Sequence, residues 1–271
     1  MNDFHHKKSL GQHFLTDKNI VQKIVRIADV NSENYVWEVG PGKGILTEEL
    51  IETGCKLTAF EIDEKLYPIL EEEFSGKINL VKQDVLKANW NEFFPKDKVT
   101  ITANLPYQIT SPFLFKVASF ADKFAKIVIM VQKEVAQRIN ASVGTKDYSI
   151  LSIKMQYYFD VSYEFTVKPH LFFPRPKVDS AVIKLIPRTN KPTIEDEKFF
   201  WRIVEVAFRN RRKMLRNNLK EILNSDQIVK LSEEFEITRR GETLTEIEFV
   251  ELYDLVSRIK KRSIAETDKI N

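Results

Sequence analysis

Short apolar runs alternate with segments of helical spacing through the first two thirds of the chain. Tyr35–Val39, Lys56–Phe60, Ile78–Val81, Val99–Ala103 and Lys126–Val131 are rich in β-branched and aromatic residues and read as strands. Between them, Ile45 to Ile51, Leu66 to Phe74 and Gln132 to Asn140 read as helices. Strands that alternate with helices predict an α/β fold built on an open sheet. Ahead of this series lies a basic arm, residues 7–15, ending in the apolar pair Phe14-Leu15. Thr16-Asp17 then stands where it can cap a helix with Ile20, Ile24 and Ile27 on one stripe. After the series, Ile150 to Val167 has the aromatic and β-branched content of a strand. Pro169 to Pro176 is a loop stiffened by three prolines, and Ser180 to Ile186 is a further strand.

The polar, proline-flanked stretch Pro187 to Pro192 is the expected domain boundary, dividing 1–188 from 189–271. Beyond it, Phe199, Ile203, Val206 and Ala207 keep helical spacing, and Phe208 to Arg216 reads as a basic helix. Leu244-Thr245-Glu246 caps another helix through Phe249, Leu252 and Leu255. The second domain is therefore expected to be small and all-α.

Composition narrows the class. The chain has 271 residues with 43% apolar content, enough for one full core and a smaller domain. It has no run near membrane-span length, and Met1 to Gln12, with no apolar segment behind its charged residues, does not read as a secretory signal. One cysteine, Cys55, excludes an internal disulfide and a multi-cysteine zinc site, and no metal site is expected; it suits a reducing cytoplasm. Net charge is only +3, but Arg202, Arg209, Arg211, Arg212, Lys213, Arg216 and Lys220 crowd residues 199–224, whereas acids dominate 231–254. Five cations between Arg209 and Arg216 exceed what solubility needs and favour nucleic-acid phosphate over a merely solvated face.

The chemistry gathers at the carboxyl ends of four consecutive strands, the edge where open α/β sheets bind ligands. The first runs into Gly40-Pro41-Gly42-Lys43-Gly44, whose glycines admit close backbone approach. Ile45 stands where a dinucleotide fingerprint needs its third glycine, and no Gly-Lys-Ser/Thr follows. The second strand ends at Glu61, placed either as a solvated carboxylate or to take both ribose hydroxyls of an adenosyl ligand. Asp84 ends the third, either as a turn former or as acceptor for an adenine amine sandwiched by Ile62 and Val85. The fourth ends in Asn104-Leu105-Pro106-Tyr107. That tetrapeptide can be a plain turn. Alternatively, the Asn104 side-chain oxygen and the Leu105 carbonyl accept both protons of an exocyclic –NH2 while Tyr107 stacks on its ring. Accepting both protons draws the nitrogen lone pair out of conjugation, as attack on an electrophilic methyl requires. Phe172 lies in the proline-rich loop, which is either a crossover whose phenylalanines are core or a rigid support that sets Phe172 beside Tyr107 in a two-sided aromatic slot. Four strand ends of this kind in succession are much more specific than any one of them.

With these blocks in view, the chain resembles the small-subunit (16S) ribosomal RNA adenine N6-dimethyltransferases over nearly its whole length. The resemblance rests on Ser9-Leu10-Gly11-Gln12-His13-Phe14-Leu15, Glu38-Val39-Gly40-Pro41-Gly42-Lys43-Gly44 and Asn104-Leu105-Pro106-Tyr107. It continues in Phe172-x-Pro174-x-Pro176-Lys177-Val178-Asp179-Ser180 and Arg211-Arg212-Lys213-x-Leu215-Arg216-Asn217. It implies a Rossmann-like S-adenosylmethionine domain with a mostly parallel seven-stranded sheet, followed by a small all-α C-terminal domain. It further implies an enzyme that dimethylates two adjacent adenosines in the 3′-terminal hairpin of 16S rRNA late in small-subunit assembly; a cytoplasmic monomer with no membrane partner is expected, since nothing in the sequence demands a dimer. By position, His13 and Leu15 contact the cofactor from the arm, Gly40 approaches its methionine moiety, Glu61 its ribose, and Asp84 with Ile62 and Val85 its adenine, and Gly42 is a further cofactor-binding position. Asn104 lies between cofactor and target, Leu105 and Pro106 complete the catalytic loop, and Tyr107 and Phe172 stack on the target base. Lys7, Lys8, Arg209, Arg211, Arg212, Lys213 and Arg216 meet RNA. The family often has Asn where His13 stands.

The rivals are a large-subunit rRNA adenine methyltransferase of the antibiotic-resistance type and a non-catalytic ribosome assembly factor. The Leu of Asn-Leu-Pro-Tyr and the long basic C-terminal helix disfavour the first. Intact Glu61, Asp84 and Asn104 disfavour the second, because a retired site has no need of all three.

Overall fold

The computed structural model describes residues 12–267; Lys7 and Lys8 lie outside them. The chain divides into two compact units, Met1–Asn140 with Tyr158–Arg188, and Ala141–Tyr157 with Thr189–Asn271.

In the first unit, β1 (Phe14–Leu15), α1 (Lys18–Ala28), β2 (Tyr35–Val39), α2 (Ile45–Ile51), β3 (Lys56–Glu61), α3 (Tyr67–Phe74), β4 (Asn79–Lys82) and β5 (Val99–Asn104) follow in order. α4 (Thr110–Ser119), β6 (Phe124–Gln132) and α5 (Lys133–Ile139) come next. After α6 (Ile150–Tyr158), the chain returns with β7 (Phe159–Val167), β8 (Phe172–Phe173) and β9 (Ser180–Pro187). Seven strands form one sheet in the order β4-β3-β2-β5-β6-β9-β7. The first five of that order pair in parallel and β9 joins antiparallel to both β6 and β7. This is the Rossmann-like, mostly parallel sheet that the resemblance implies, on the open α/β plan that the strand–helix alternation predicts, and its central parallel strands are buried as that topology requires. Asp17 caps α1 by accepting from the Ile20 N–H at 3.0 Å. Gly44, at φ +84°, opens α2 where a Cβ would sit 2.4 Å from the Phe74 ring, so only glycine lets α3 pack this closely. On one side of the sheet Trp37 stacks on Phe94 at 4.6 Å and meets Trp90, Phe60 and Phe124 edge-on.

Two local expectations change. Ile150 to Tyr158 is the helix α6; only Phe159 to Val167 is strand. Leu151, Ser152, Ile153, Met155, Tyr157 and Tyr158 are all buried, so no polar face advertises a helical period, and the aromatic content points the wrong way. The arm also forms a strand: β1 pairs antiparallel with β8, Phe14 opposite Phe173 and Leu15 opposite Phe172.

The second unit contains segment 141–157 and, beyond β9, α7 (Glu197–Phe208), α8 (Leu215–Leu219), α9 (Ser225–Glu234) and α10 (Glu246–Thr267). Two tyrosines tie 141–157 into it: Tyr148 donates to the Leu244 carbonyl at 3.0 Å and Tyr157 to the Pro192 carbonyl at 2.7 Å. Phe200, Phe249 and Ile203 are wholly buried among its helices. The expected basic helix is broken: α7 stops at Phe208, and residues 209–214 form a turn before α8. Asn218 holds that turn by donating to the Ala207 carbonyl at 2.9 Å and the Asn210 carbonyl at 3.3 Å. The Leu215 and Arg216 N–H groups donate to Arg239 and Ile237 instead of continuing α7. Arg209, Arg211, Arg212, Lys213 and Arg216 are exposed on this turn and at the start of α8. Arg209 pairs with Glu221 and Arg211 with Glu242, both at 2.8 Å.

Candidate active site

β5 is buried until its last residue, Asn104, which is half-buried at the sheet's carboxyl edge. The Asn104 Nδ2 donates to the His13 carbonyl at 3.0 Å. That bond uses one of the two amide protons; the other proton and the side-chain oxygen belong to a residue that lines the cleft. The Leu105 N–H donates to the Met130 carbonyl at 3.2 Å, which carries the loop backbone along β6. Pro106 then turns the chain, with its carbonyl accepting from Ile109 at 3.1 Å. Tyr107 is held at two points. Its hydroxyl lies 2.8 Å from Ser180 Oγ, and its ring centroid is 5.6 Å from that of His13. Burial raises the Tyr107 phenol above its ordinary pKa, opposed by the Ser180 contact.

The arm reaches this loop because it is tied to the proline-rich segment. Besides the β1–β8 pairing, the Thr16 N–H donates to the Leu171 carbonyl at 2.9 Å, and His13 Nδ1 lies 2.7 Å from the Pro174 carbonyl, fixing the tautomer that donates. Leu15 and Phe172 are 5% and 4% exposed and belong to one core cluster with Val167 and Val182. This corrects the expected slot: the Phe172 ring faces inward, and its neighbour Phe173, 62% exposed, is the aromatic side chain on the surface. Successive residues of a strand face opposite ways, so a one-position error reverses the assignment.

One cleft collects the remaining strand ends. His13, Gly40, Gly42, Glu61, Ile62, Asp84, Val85, Asn104, Leu105, Pro106 and Tyr107 all line it, joined by Gln12, Phe14, Phe60 and Gln108. Leu15 and Phe173 instead line an adjoining cavity with Gly40, Gly42, Glu38 and Asn104, so Asn104 borders both spaces. Glu61 is 4% exposed; its Oε1 accepts from the Ile62 and Asp63 N–H groups, both at 2.8 Å, and its Oε2 from Gly42 at 3.2 Å. Burial pushes its carboxyl above the usual range despite these three donors. Asp84 Oδ1 accepts from the Leu86 N–H at 2.9 Å, so the turn-forming role and a place on the cleft wall coexist in one side chain. Gln12 donates through Nε2 to Asp63 Oδ2 at 3.0 Å, whereas its Oε1 is buried with no partner among the described residues. An orphaned acceptor in a cleft wall that Glu61 and Asp84 also line is a place for a ligand's hydrogen-bond donor.

Sequence reasoning misses Glu38. It is 1% exposed, accepts from Thr47 Oγ1 at 2.7 Å, and is pushed up to about 8 by burial, with Glu61 adding to the rise. An acid inside the apolar run Tyr35–Val39 is the available signal. Among the described residues, no group of three His, Cys, Asp or Glu side chains is placed to hold a metal ion, and no helix is long and apolar enough to cross a membrane.

Comparison with known proteins finds relatives that span nearly the whole chain. The family model described as "Ribosomal RNA adenine dimethylase" matches residues 3–261. A protein of Geobacillus sp. (strain WCH70) named ribosomal RNA small subunit methyltransferase A is 44% identical, aligned over 94% of this chain and 93% of its own. A protein of the same name from Bacillus cereus (strain AH187) is 44% identical over 92% of this chain and 90% of its own. Among solved structures, a dimethyladenosine transferase from Plasmodium falciparum superposes with a TM-score of 0.76 at 27% identity, covering 93% of this chain and 98% of that one. The 23S rRNA methyltransferase ErmE gives 0.67 at 26% identity, covering 90% and 99%.

Proposed function

The chain belongs to the ribosomal RNA adenine dimethylase family, and from that premise we propose that it dimethylates the N6 amines of two adjacent adenosines near the 3′ end of 16S rRNA, within the small ribosomal subunit or its precursor. The observation that carries this reading is the fixed amide of Asn104. One of its amide protons is engaged by the His13 carbonyl, Asn104 borders both the cleft and the adjoining cavity, and Leu105 lines the cleft beside it; in this reading the amide oxygen faces the cleft.

The cofactor proposed for the cleft is S-adenosylmethionine, which supplies an already activated methyl group. Glu61 suits its ribose hydroxyls, Asp84 with Ile62 and Val85 its adenine, and Gly40, Gly42 and the Gln12–His13 segment its methionine end. The protein's own task is then positioning. Asn104 Oδ1 and the Leu105 carbonyl accept the two protons of the target amine, Tyr107 presents a ring face to the purine, and Phe173 offers a second aromatic surface from the adjoining cavity. The target adenosine must leave its stack to arrive there. No strong base is needed, because the amine becomes acidic once alkylated. The exposed cations from Arg209 to Arg216 suit RNA phosphates. We place the enzyme in the cytoplasm as a monomer.

The structural likeness to a 23S rRNA methyltransferase keeps a large-subunit substrate in view, but the 44% relatives carrying the small-subunit name support the first reading. The test is methylation of purified, unmodified small and large subunits followed by mass mapping. Dimethyladenosine at two adjacent positions near the 3′ end of 16S rRNA is the expected product. Modification confined to 23S rRNA, or none at all, contradicts it.

A further inference from the structure

Lys116 lies in the last turn of α4, the helix that begins directly after the cleft-lining segment Leu105–Ile109. Its Nζ donates to three backbone carbonyls, Val85 at 3.0 Å, Leu86 at 2.9 Å and Ala88 at 2.7 Å. All three ammonium protons are thus spent on one turn of another segment. The ammonium also sits 4.6 Å from the centroid of the Trp90 ring, and Trp90 Nε1–H donates to that same Val85 carbonyl at 2.9 Å. Burial holds Lys116 below the usual lysine range, against the pull of Asp84. A solvated lysine has no reason to sit here. Its position is built.

The turn it grips is the one that aims Asp84. The N–H that Asp84 Oδ1 accepts belongs to Leu86, and so to the peptide plane whose other end is the Val85 carbonyl. Lys116 and Trp90 hold the carbonyl edge of that plane while its N–H edge holds the carboxylate. A peptide is rigid, so loosening the carbonyl, which Trp90 alone would then hold, lets the plane tilt and weakens the hold of its N–H on Asp84.

We propose that Lys116 is a positioning residue for the purine end of the cofactor cleft, setting the direction of the Asp84 carboxylate and through it the preference for a 6-amino over a 6-oxo purine. This rests on the reading that Asp84 accepts from the adenine amine of the cofactor. A carboxylate favours the adenine amine and repels the carbonyl oxygen at the same position of hypoxanthine.

The test is calorimetric titration of S-adenosylhomocysteine and of its inosine counterpart into the folded protein. Each variant is scored by the ratio of the two dissociation constants. A general loss of stability does not move that ratio. The wild-type protein is expected to prefer the adenosyl ligand, and Lys116→Met to cut the preference about tenfold, the scale of one misdirected polar contact. Lys116→Gln, which keeps a single donor, serves where the methionine variant does not fold and is expected to cut it less. Asp84→Ala separates the two readings. If it abolishes the preference while both Lys116 variants retain it in full, the positioning role is overturned and the adenine reading stands. If Asp84→Ala itself leaves the preference intact, the adenine reading fails and the proposal with it.

Discussion

The Asn104 side-chain nitrogen donates to the backbone carbonyl of His13 across 3.0 Å, 91 positions earlier in the chain. The amide at the end of β5 is therefore oriented by the arm, and the arm is held by β8 through Leu15 and by Pro174 through the His13 imidazole. Neither β5 nor the loop after it fixes which way the amide points. Loosening the arm should accordingly be felt in the chemical step. Leu15→Ala removes a buried anchor at a cost of about 2–5 kcal/mol. We expect kcat for methyl transfer to fall at temperatures where the protein stays folded, read by single-turnover assay beside a thermal melt. A lowered melting point with unchanged kcat contradicts the coupling.

The two adjacent phenylalanines should separate cleanly. Phe172 is core and Phe173 is surface. Phe172→Ala should lose about 3–5 kcal/mol of stability, whereas Phe173→Ala should stay within about 0.5 kcal/mol of wild type in a denaturant titration. If Phe173 meets the target base, its loss lowers kcat/KM for RNA by about tenfold, within the 1–3 kcal/mol typical of one base–aromatic stack. An inert Phe173 variant places the second stacking surface elsewhere.

Glu38 makes stability depend on pH in an unusual direction. Its carboxyl is raised from about 4.5 to about 8, so between those values the folded protein binds a proton that the unfolded chain has released. Stability from this group is present below its unfolded pKa and is lost as pH rises toward 8. Glu38→Gln keeps an acceptor for Thr47 without the charge. The melting temperature of the variant should therefore decline less than that of the wild type between pH 5 and pH 8, with the variant ahead at the alkaline end. Parallel melting curves across that range contradict the assignment.

The basic turn is open to a salt titration. Neutralising Arg211, Arg212 and Lys213 together should weaken RNA affinity and flatten the dependence of log K on log salt by roughly two, since each phosphate no longer neutralised by the protein removes about 0.7–0.9 from the slope. An unchanged slope means that these side chains do not sit on phosphate.

The strand ends are legible because the central parallel strands are buried and stand out as apolar runs; Gly40, Glu61, Asp84 and Asn104, at or just beyond the ends of four parallel strands, fall in one cleft. What escaped depended on information outside a local window. α6 is buried nearly all round and so carries no helical period. The facing of Phe172 and Phe173 depends on the β1–β8 register, a pairing of two-residue strands far apart in sequence. The break after Phe208 is set by Asn218 and by carbonyls at 237 and 239, which no run of charges announces. Lys116 looks like any lysine of an amphipathic helix until its three carbonyl partners are seen.

The most direct test is a single-turnover assay of Asn104→Ala on purified, unmodified small subunits, with cofactor saturating and its affinity measured separately. Removing the oriented acceptor should slow methyl transfer about a hundredfold or more, the scale of losing one group that stabilises the reacting centre, while the cofactor still binds. Transfer at a near wild-type rate with cofactor affinity unchanged would show that the amine is gripped by something other than this asparagine.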